Sequence, residues 1–357
     1  MMKRLLYILS LSLAVVSCQR RELTYLYDPT CEVVVDVDWS NMSTTPTGMS
    51  VYCYPEDGGD AVVAVSNDIS SITVNLPQGS YNILVFNQIP TDYGTVSFSG
   101  MDSFETAEVS TVSSDSKWAE SKSGVGLVRD PEEIAAATYV GFVVSSEDVA
   151  TKVEYDSGVA TKSGESVTKY ISVTPKVIIK NIVVRVRVSG IYNHQSTRAT
   201  LYGLAGGYNF SQQTSHTTQA THVLEDWTKT VYDGYSEGEL SITFTSFGLP
   251  AQSTTTRSYE DWDGRLDIDI LLVDNATITS ETVYLNDKVT INSSDDDTKA
   301  DISADINIDT GFTFDLDSTS DDKPIVLPDV EPVDGSSSGF SAEIDDWGDK
   351  VVIDVPI

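Results

Sequence analysis

Cys18 is the residue whose surroundings best specify a reaction. It closes the run Met1–Cys18, in which Lys3 and Arg4 form a short positive region. Leu5 to Val16 then form an apolar stretch too short to span a bilayer as a stable helix. Small residues lead from that stretch to the cysteine. The order describes an export signal, and Val15-Val16-Ser17-Cys18 resembles the bacterial lipobox, where the peptide is cut before the cysteine and the thiol is diacylated. The competing reading is an ordinary secretory signal with an incidental cysteine. Two or three acyl chains hold a protein on a membrane far more firmly than one. Lipidation of Cys18 is the expected chemistry, with residues 1–17 removed and 18–29 left as a polar spacer. Gln19, where an inner-membrane retention cue would place Asp, favours the outer membrane; the cell surface is the expected face, though the sequence leaves the periplasmic face open.

Other chemistry-bearing patterns are weaker. Gly335-Ser336-Ser337-Ser338-Gly339 has the spacing of a nucleophile elbow, and Asp334, Ser336 and Ser338 that of a metal-binding loop. Both need an α/β frame, whereas this stretch is a low-complexity loop in a strand-rich chain. Asp305-Ile306-Asn307-Ile308-Asp309 begins like a calcium loop, but Gly311 comes one position late and Leu316 stands where a glutamate is needed. Asp295-Asp296-Asp297 reads as a solvated turn. The histidines are His194, His216 and His222; the last two flank a Thr/Gln-rich segment but have no third zinc ligand near them, and they read as loop residues. No catalytic set, metal site or cofactor is expected. An acid-acid-Trp triplet recurs at Trp227, Trp262 and Trp347. Aromatics beside carboxylates can bind sugars, so these three are the candidate ligand-face residues. The plainer reading has each Trp plugging the end of a sandwich while its acids stay in water.

The chain of 357 residues carries a formal charge of −32. So acidic a surface repels phosphate backbones, which excludes nucleic acid as a partner. Besides Cys18 the cysteines are Cys31 and Cys53, both on the apolar parity of their strands. In an oxidising compartment they form either a disulfide with each other or two small core hydrophobes. A tight hairpin through Thr45-Pro46-Thr47-Gly48 would set Cys53 nearer Val35 than Cys31, so parity does not decide between the two.

The elements that would position these residues are almost all strands. Thr30 to Trp39 alternates Val33, Val35, Val37 and Trp39 with Glu32, Asp36 and Asp38, the period of a half-buried strand. Further strands are expected at Met49–Tyr54, Ile69–Leu76 and Tyr81–Phe86, the last two joined as a hairpin by Pro77-Gln78-Gly79. Residues 110–124 read as a long loop. Asp130-Pro131-Glu132-Glu133 before Ile134-Ala135-Ala136-Ala137 predicts one short helix. Strands resume at 139–145 and 167–174. A second run begins at Val177, with Ile182 to Val188 alternating as its first strand, and continues through 197–204, 240–247, 266–273, 282–285, 312–316 and 350–356. This pattern is all-β with little helix and predicts two β-sandwiches, over 30–175 and 176–357.

The lipobox, the strand Val33-Val34-Val35-Asp36-Val37-Asp38-Trp39 and the turn Leu76-Pro77-Gln78-Gly79-Ser80-Tyr81 together resemble a Bacteroidales lipoprotein family of uncharacterised domains. Ser189-Gly190-Ile191, Gly203-Leu204-Ala205-Gly206-Gly207 and Thr245-Ser246-Phe247-Gly248 extend the resemblance through the second half. That family is grouped with fimbrillin-like and fimbrial anchor proteins. The resemblance implies two tandem transthyretin-like sandwiches and a non-enzymatic role in fimbriae as stalk, tip or anchor. It also implies fimbrial partner subunits joined by β-strand exchange, which fills a sandwich that lacks one strand. Fimbrillins are trimmed after an arginine, yet no arginine lies between Arg21 and Arg129 here, so a cut cannot free the first strand. A retained, membrane-tethered anchor or accessory component fits better than a polymerising shaft. The alternative is a surface glycan-binding lipoprotein of a polysaccharide-uptake system.

Overall fold

The computed structural model of the chain describes residues 30–114, 126–149, 152–156, 159–163, 167–232, 234, 236–251, 264–285, 291–293, 300–302, 311–316, 324–333, 342–346 and 349–353. Among them the regular elements are strands, apart from two short 3-10 turns, and no helix is long and apolar enough to cross a membrane. The first half begins with β1 (Thr30–Val37), β2 (Met49–Pro55), β3 (Val62–Ser66), β4 (Ser71–Pro77) and β5 (Gly79–Asn87). After β6 (Val96–Ser99), β7 (Glu108–Thr111) and β8 (Leu127–Val128) come β9 (Ala135–Val144), β10 (Lys152–Asp156), β11 (Val159–Ser163), β12 (Thr168–Val173) and β13 (Lys176–Val177). The second half contributes β14 (Lys180–Ser189), β15 (His194–Ala205), β16 (Gly207–Asn209), β17 (Thr214–Ser215), β18 (Gln219–Leu224), β19 (Thr228–Val231), β20 (Glu237–Ser246), β21 (Arg265–Leu272) and β22 (Ile278–Tyr284). It ends with β23 (Ile291–Ser293), β24 (Ala300–Ile302), β25 (Gly311–Leu316), β26 (Ile325–Val326), β27 (Ala342–Asp346) and β28 (Asp349–Ile353).

Alternation in β1 has the expected consequence. Cys31, Val33, Val35 and Val37 point into a core while Glu32 and Asp36 face outward. The sheet β12-β1-β4 packs across that core on β13-β9-β5-β2-β3, whose inward residues include Val51, Cys53, Ile83 and Val85. β14 alternates in the same way, burying Ile182, Val184, Val186 and Val188. Its sheet, β19-β20-β14-β25 with β26 also on β14, packs on β22-β21-β15-β18-β8. The two halves share a plan. β1 is antiparallel to β4 and parallel to β12; β14 is antiparallel to β20 and parallel to β25.

Two expected hairpins are corners. Pro77-Gln78-Gly79 joins β4 to β5, and Thr45-Pro46-Thr47-Gly48 lies between β1 and β2, but in each case the two strands belong to opposite sheets. The reason is burial on both sides of the corner. Leu76 sits opposite Cys31 in one sheet, and Tyr81 enters the same core from the other, its hydroxyl donating to the Pro77 carbonyl at 3.0 Å.

The helix expected at 130–137 is also absent, and β9 begins there instead. The acids that would have charged its first turn are committed elsewhere. Glu132 accepts from the Gly94 amide at 2.9 Å, and Glu133 accepts from the Ser43 amide and hydroxyl at 2.8 Å each. Asn87, fully buried, then clamps the backbone in an extended form: its amide donates to the Glu133 carbonyl at 3.0 Å and its Oδ1 accepts from the Ala135 N–H at 2.8 Å. Tertiary partners outweigh a local helix preference worth tenths of a kcal/mol per residue.

A third core lies on the other face of the β5-containing sheet. Leu84 and Phe86 from β5 and Tyr54 from β2 meet Phe210, Phe247, Ile178 and Ile179 from the second half. The sheet β17-β16-β7-β6 contributes Val96, Val109 and Phe98 to it, and draws two strands from each half. Among the described residues pairing thus crosses the expected boundary near Pro175 where β13 joins β9, where β7 joins β16 and where β8 runs parallel to β18. Phe86, Phe98 and Phe210 stack with centroids 5.0–6.1 Å apart. Each buried side chain of this size contributes about 1.5–3 kcal/mol and each ring pair about 0.5–1.5 kcal/mol more. This seam is a true core rather than a passing contact between domains.

The Asn87 clamp gives the first testable outcome. Asn87→Ala leaves the Ala135 N–H and the Glu133 carbonyl without their partner, so urea unfolding should show a loss of about 2–4 kcal/mol. A loss within the error of the wild-type curve would mean the clamp is not what fixes the start of β9.

Candidate functional site

The residues singled out from sequence fall into three groups. Cys18 lies outside the described residues, as do Trp262 and Trp347, the acid clusters at 295–297 and 305–309, and the 334–339 loop. Cys31 and Cys53 are free, fully buried thiols, one on each of the facing sheets. Cys31 donates to the Val167 carbonyl at 3.2 Å; its thiol is pushed up chiefly by burial, and burial pushes the Cys53 thiol up to about 12. Both side chains belong to the first core. Trp227 is half-buried against the second core and its Nε1 donates to the Leu224 carbonyl at 3.0 Å, so it plugs a sandwich end rather than offering a ring to solvent. Trp39 does the same for the first core, donating to Ile69 at 2.8 Å.

Of the two histidines expected in loops, His216 lies in the turn between β17 and β18, whereas His222 is on a strand, and His194 begins β15. His222 is buried on β18 against the Phe244 ring, with Nδ1 3.3 Å from Asp130 of the segment that follows β8. His216 stands 3.2 Å from Glu108 of β7, across the seam. His194 is 2.7 Å from the Thr197 hydroxyl, and burial, with Lys229 nearby, pulls its imidazole down to about 4. Among the described residues no three His, Cys, Asp or Glu side chains are grouped to hold a metal ion.

The arrangement with recognisable chemistry lies on the outward face of the sheet β22-β21-β15-β18-β8. Tyr202 of β15 is directly opposite Arg265 of β21, which is directly opposite Tyr284 of β22. The three therefore share one face as a cross-strand row, while Leu201, Leu266 and Val283 beside them point into the core. The Arg265 guanidinium lies 4.2 Å from the centre of the Tyr202 ring, and its Nε donates to Asp267 at 3.2 Å. The other Asp267 oxygen accepts from the Thr282 hydroxyl at 2.8 Å, and Asp269 accepts from Ser280 at 2.6 Å in the next row. Tyr284 is 60% exposed. Sequence reasoning missed this row. The polar parity of Arg265, Asp267 and Asp269 against Leu266, Ile268 and Ile270 was visible, but the register that aligns it with Tyr202 and Tyr284 belongs to the folded sheet.

A family model described as "Domain of unknown function (DUF5119)" matches residues 17–225. The chain belongs to the DUF5119 family. The match runs through β18, so it takes in the first sandwich and the β7–β16 and β8–β18 pairings across the seam. No curated protein matches the sequence. In fold, this DUF5119 chain is similar to a candidate adhesin from Bacteroides ovatus, with a TM-score of 0.56 and 17% identity over 88% of this chain and 98% of that one. Looser similarities link it to the fimbrial anchor protein Mfa2 from Porphyromonas gingivalis (TM-score 0.41, 13% identity, 67% and 77% covered). A candidate cell adhesion protein from Bacteroides eggerthii is also loosely similar (0.39, 10%, 87% and 94%). The all-β fold expected from the strand pattern stands.

The cysteine geometry makes a direct prediction. In the mature chain, iodoacetamide should label neither Cys31 nor Cys53 in the native state, and both after denaturation without reductant. Labelling that appears only once a reductant is added would establish a disulfide instead.

Proposed function

We propose that this DUF5119 protein is a non-enzymatic surface component, anchored to the outer membrane by lipid on Cys18, that acts as a fimbrial anchor or accessory subunit in adhesion. The observation that carries this reading is the position of β1. It is the middle strand of its sheet, paired along its length with β4 on one side and β12 on the other. A subunit that polymerises after trimming must give up such a strand, leaving an apolar groove for a neighbour's strand to fill. Cutting at Arg20 or Arg21 removes the anchor but spares β1, and the next arginine is Arg129. The chain therefore keeps its first sandwich complete, as a fixed base should. The fold-wide similarity to a candidate adhesin supports a surface role, as does the leader ending in Cys18.

Any exchange with a fimbrial partner would then use an outer edge rather than a vacated groove. β12 and β25 are the candidates, since each lies parallel to the first strand of its own sandwich and ends its sheet path.

Fractionation of producing cells tests the anchor. Wild type should partition with the outer membrane and carry acyl mass on Cys18, and Cys18→Ala should lose both properties. Wild type released as an unacylated soluble protein would contradict the proposal, as would a Cys18→Ala variant that stays in the membrane fraction.

A further inference from the structure

We propose that the outward face of the β15–β21–β22 sheet is a binding site for a neutral oligosaccharide, with Tyr284 as its exposed platform and the Arg265–Asp267 pair as its hydrogen-bonding centre. The inference adds a ligand to the surface reading above and does not depend on the anchor. It starts from what the row offers. Adjacent strands are about 4.8 Å apart, so Tyr202, Arg265 and Tyr284 extend roughly 10 Å across the sheet, a length that suits a short run of sugar rings.

Three chemical properties point to a sugar. An exposed tyrosine presents a flat apolar ring with a polar tip, which suits a pyranose with one C–H face and a rim of hydroxyls. Tyr284, with 60% of its surface exposed, is such a ring. Beside it, Arg265 and Asp267 supply a planar donor and a planar acceptor, the complement of neighbouring hydroxyl groups. Their side chains are 30% and 37% exposed, so a ligand can reach them.

The row is also preorganised. Arg265 is held by the Tyr202 ring and by Asp267, and Asp267 is fixed on its other oxygen by Thr282. Ordering costs that a mobile arginine would incur on binding are thus met in the free protein.

Other occupants fit less well. A protein partner needs an apolar centre to desolvate, and here the apolar pair Leu271–Ile278 lies at one end of the face, while the rows between it and the tyrosines are Asp267–Thr282 and Asp269–Ser280. Anionic polymers meet a chain of charge −32, and the single cation of the row is already paired with Asp267. A purely structural role for the face is the remaining alternative. Cross-strand pairing accounts for Tyr202, Arg265 and Asp267. It leaves the exposed ring of Tyr284 beside the Arg265–Asp267 pair open to a ligand.

Affinity electrophoresis of the mature chain in native gels tests the proposal. The probes are four neutral polysaccharides (dextran, xylan, laminarin and galactomannan) and one anionic polymer, chondroitin sulfate. Wild type should be retarded by at least one neutral gel and not by chondroitin sulfate. Tyr284→Ala and Arg265→Ala should each weaken that retardation about tenfold, whereas Tyr284→Phe and Trp227→Phe should hold it within about twofold. Wild type unretarded in all four neutral gels overturns the proposal. So does retardation by chondroitin sulfate alone, or full retardation of Tyr284→Ala. If Arg265→Ala fails to fold by circular dichroism, Tyr284→Ala decides, because that side chain is mostly outside the packed structure. Because the measurement uses purified protein, its outcome is separate from that of the Cys18 fractionation.

Discussion

The aromatic seam between the two sandwiches is the constraint on which the rest of the molecule depends. Each sandwich has its own core, but the first one also has a second apolar face, lined by Tyr54, Leu84 and Phe86, that cannot be left in water. Phe210 and Phe247 from the second half cover it, together with a small sheet to which both halves contribute strands. The consequence is mechanical. Two sandwiches joined only by the segment near Pro175 would swivel, as domains with small polar interfaces do. Here backbone ladders and stacked rings tie them into one body.

That body is also closed in a particular way. Both halves place their first strand in the interior of a sheet, with a later strand parallel beside it. A force applied at the N-terminal side of β1 meets two ladders of hydrogen bonds before it reaches the core. A protein tethered through the polar spacer that precedes β1 would be loaded at that point. The geometry and the missing arginine between Arg21 and Arg129 thus point the same way, toward a strand that is kept.

Much of this was legible in the sequence, but only where one side chain's fate is set by its immediate neighbours. Val33, Val35 and Val37 announce β1, and Ile182 to Val188 announces β14, because period-two burial needs no information from elsewhere. Pro77-Gln78-Gly79 has the same local chemistry whether it folds a strand back on itself or carries it to the opposite sheet; only the partners of Leu76 and Tyr81 distinguish these. Asp130-Pro131-Glu132-Glu133 carries a helix signal that Asn87, 46 positions from Glu133, overrides. The seam strands β7, β8, β16 and β17 are two to four residues long and lie in segments without periodicity, so nothing local marks them. The Arg265 row depends on register between three strands, which no single segment records.

The central claim is that the seam makes the two sandwiches unfold as a unit, and differential scanning calorimetry of the mature chain tests it most directly. Gly207 sits at the crossing of β7 and β16, where an added Cβ would fall 2.4 Å from the Val109 carbonyl oxygen and 2.7 Å from the His216 ring. The account predicts a single calorimetric transition for wild type, and a Gly207→Ala variant in which the seam is forced apart and the whole transition moves to lower temperature. Two separate transitions in the wild type, or a Gly207→Ala trace identical to it, would contradict the account.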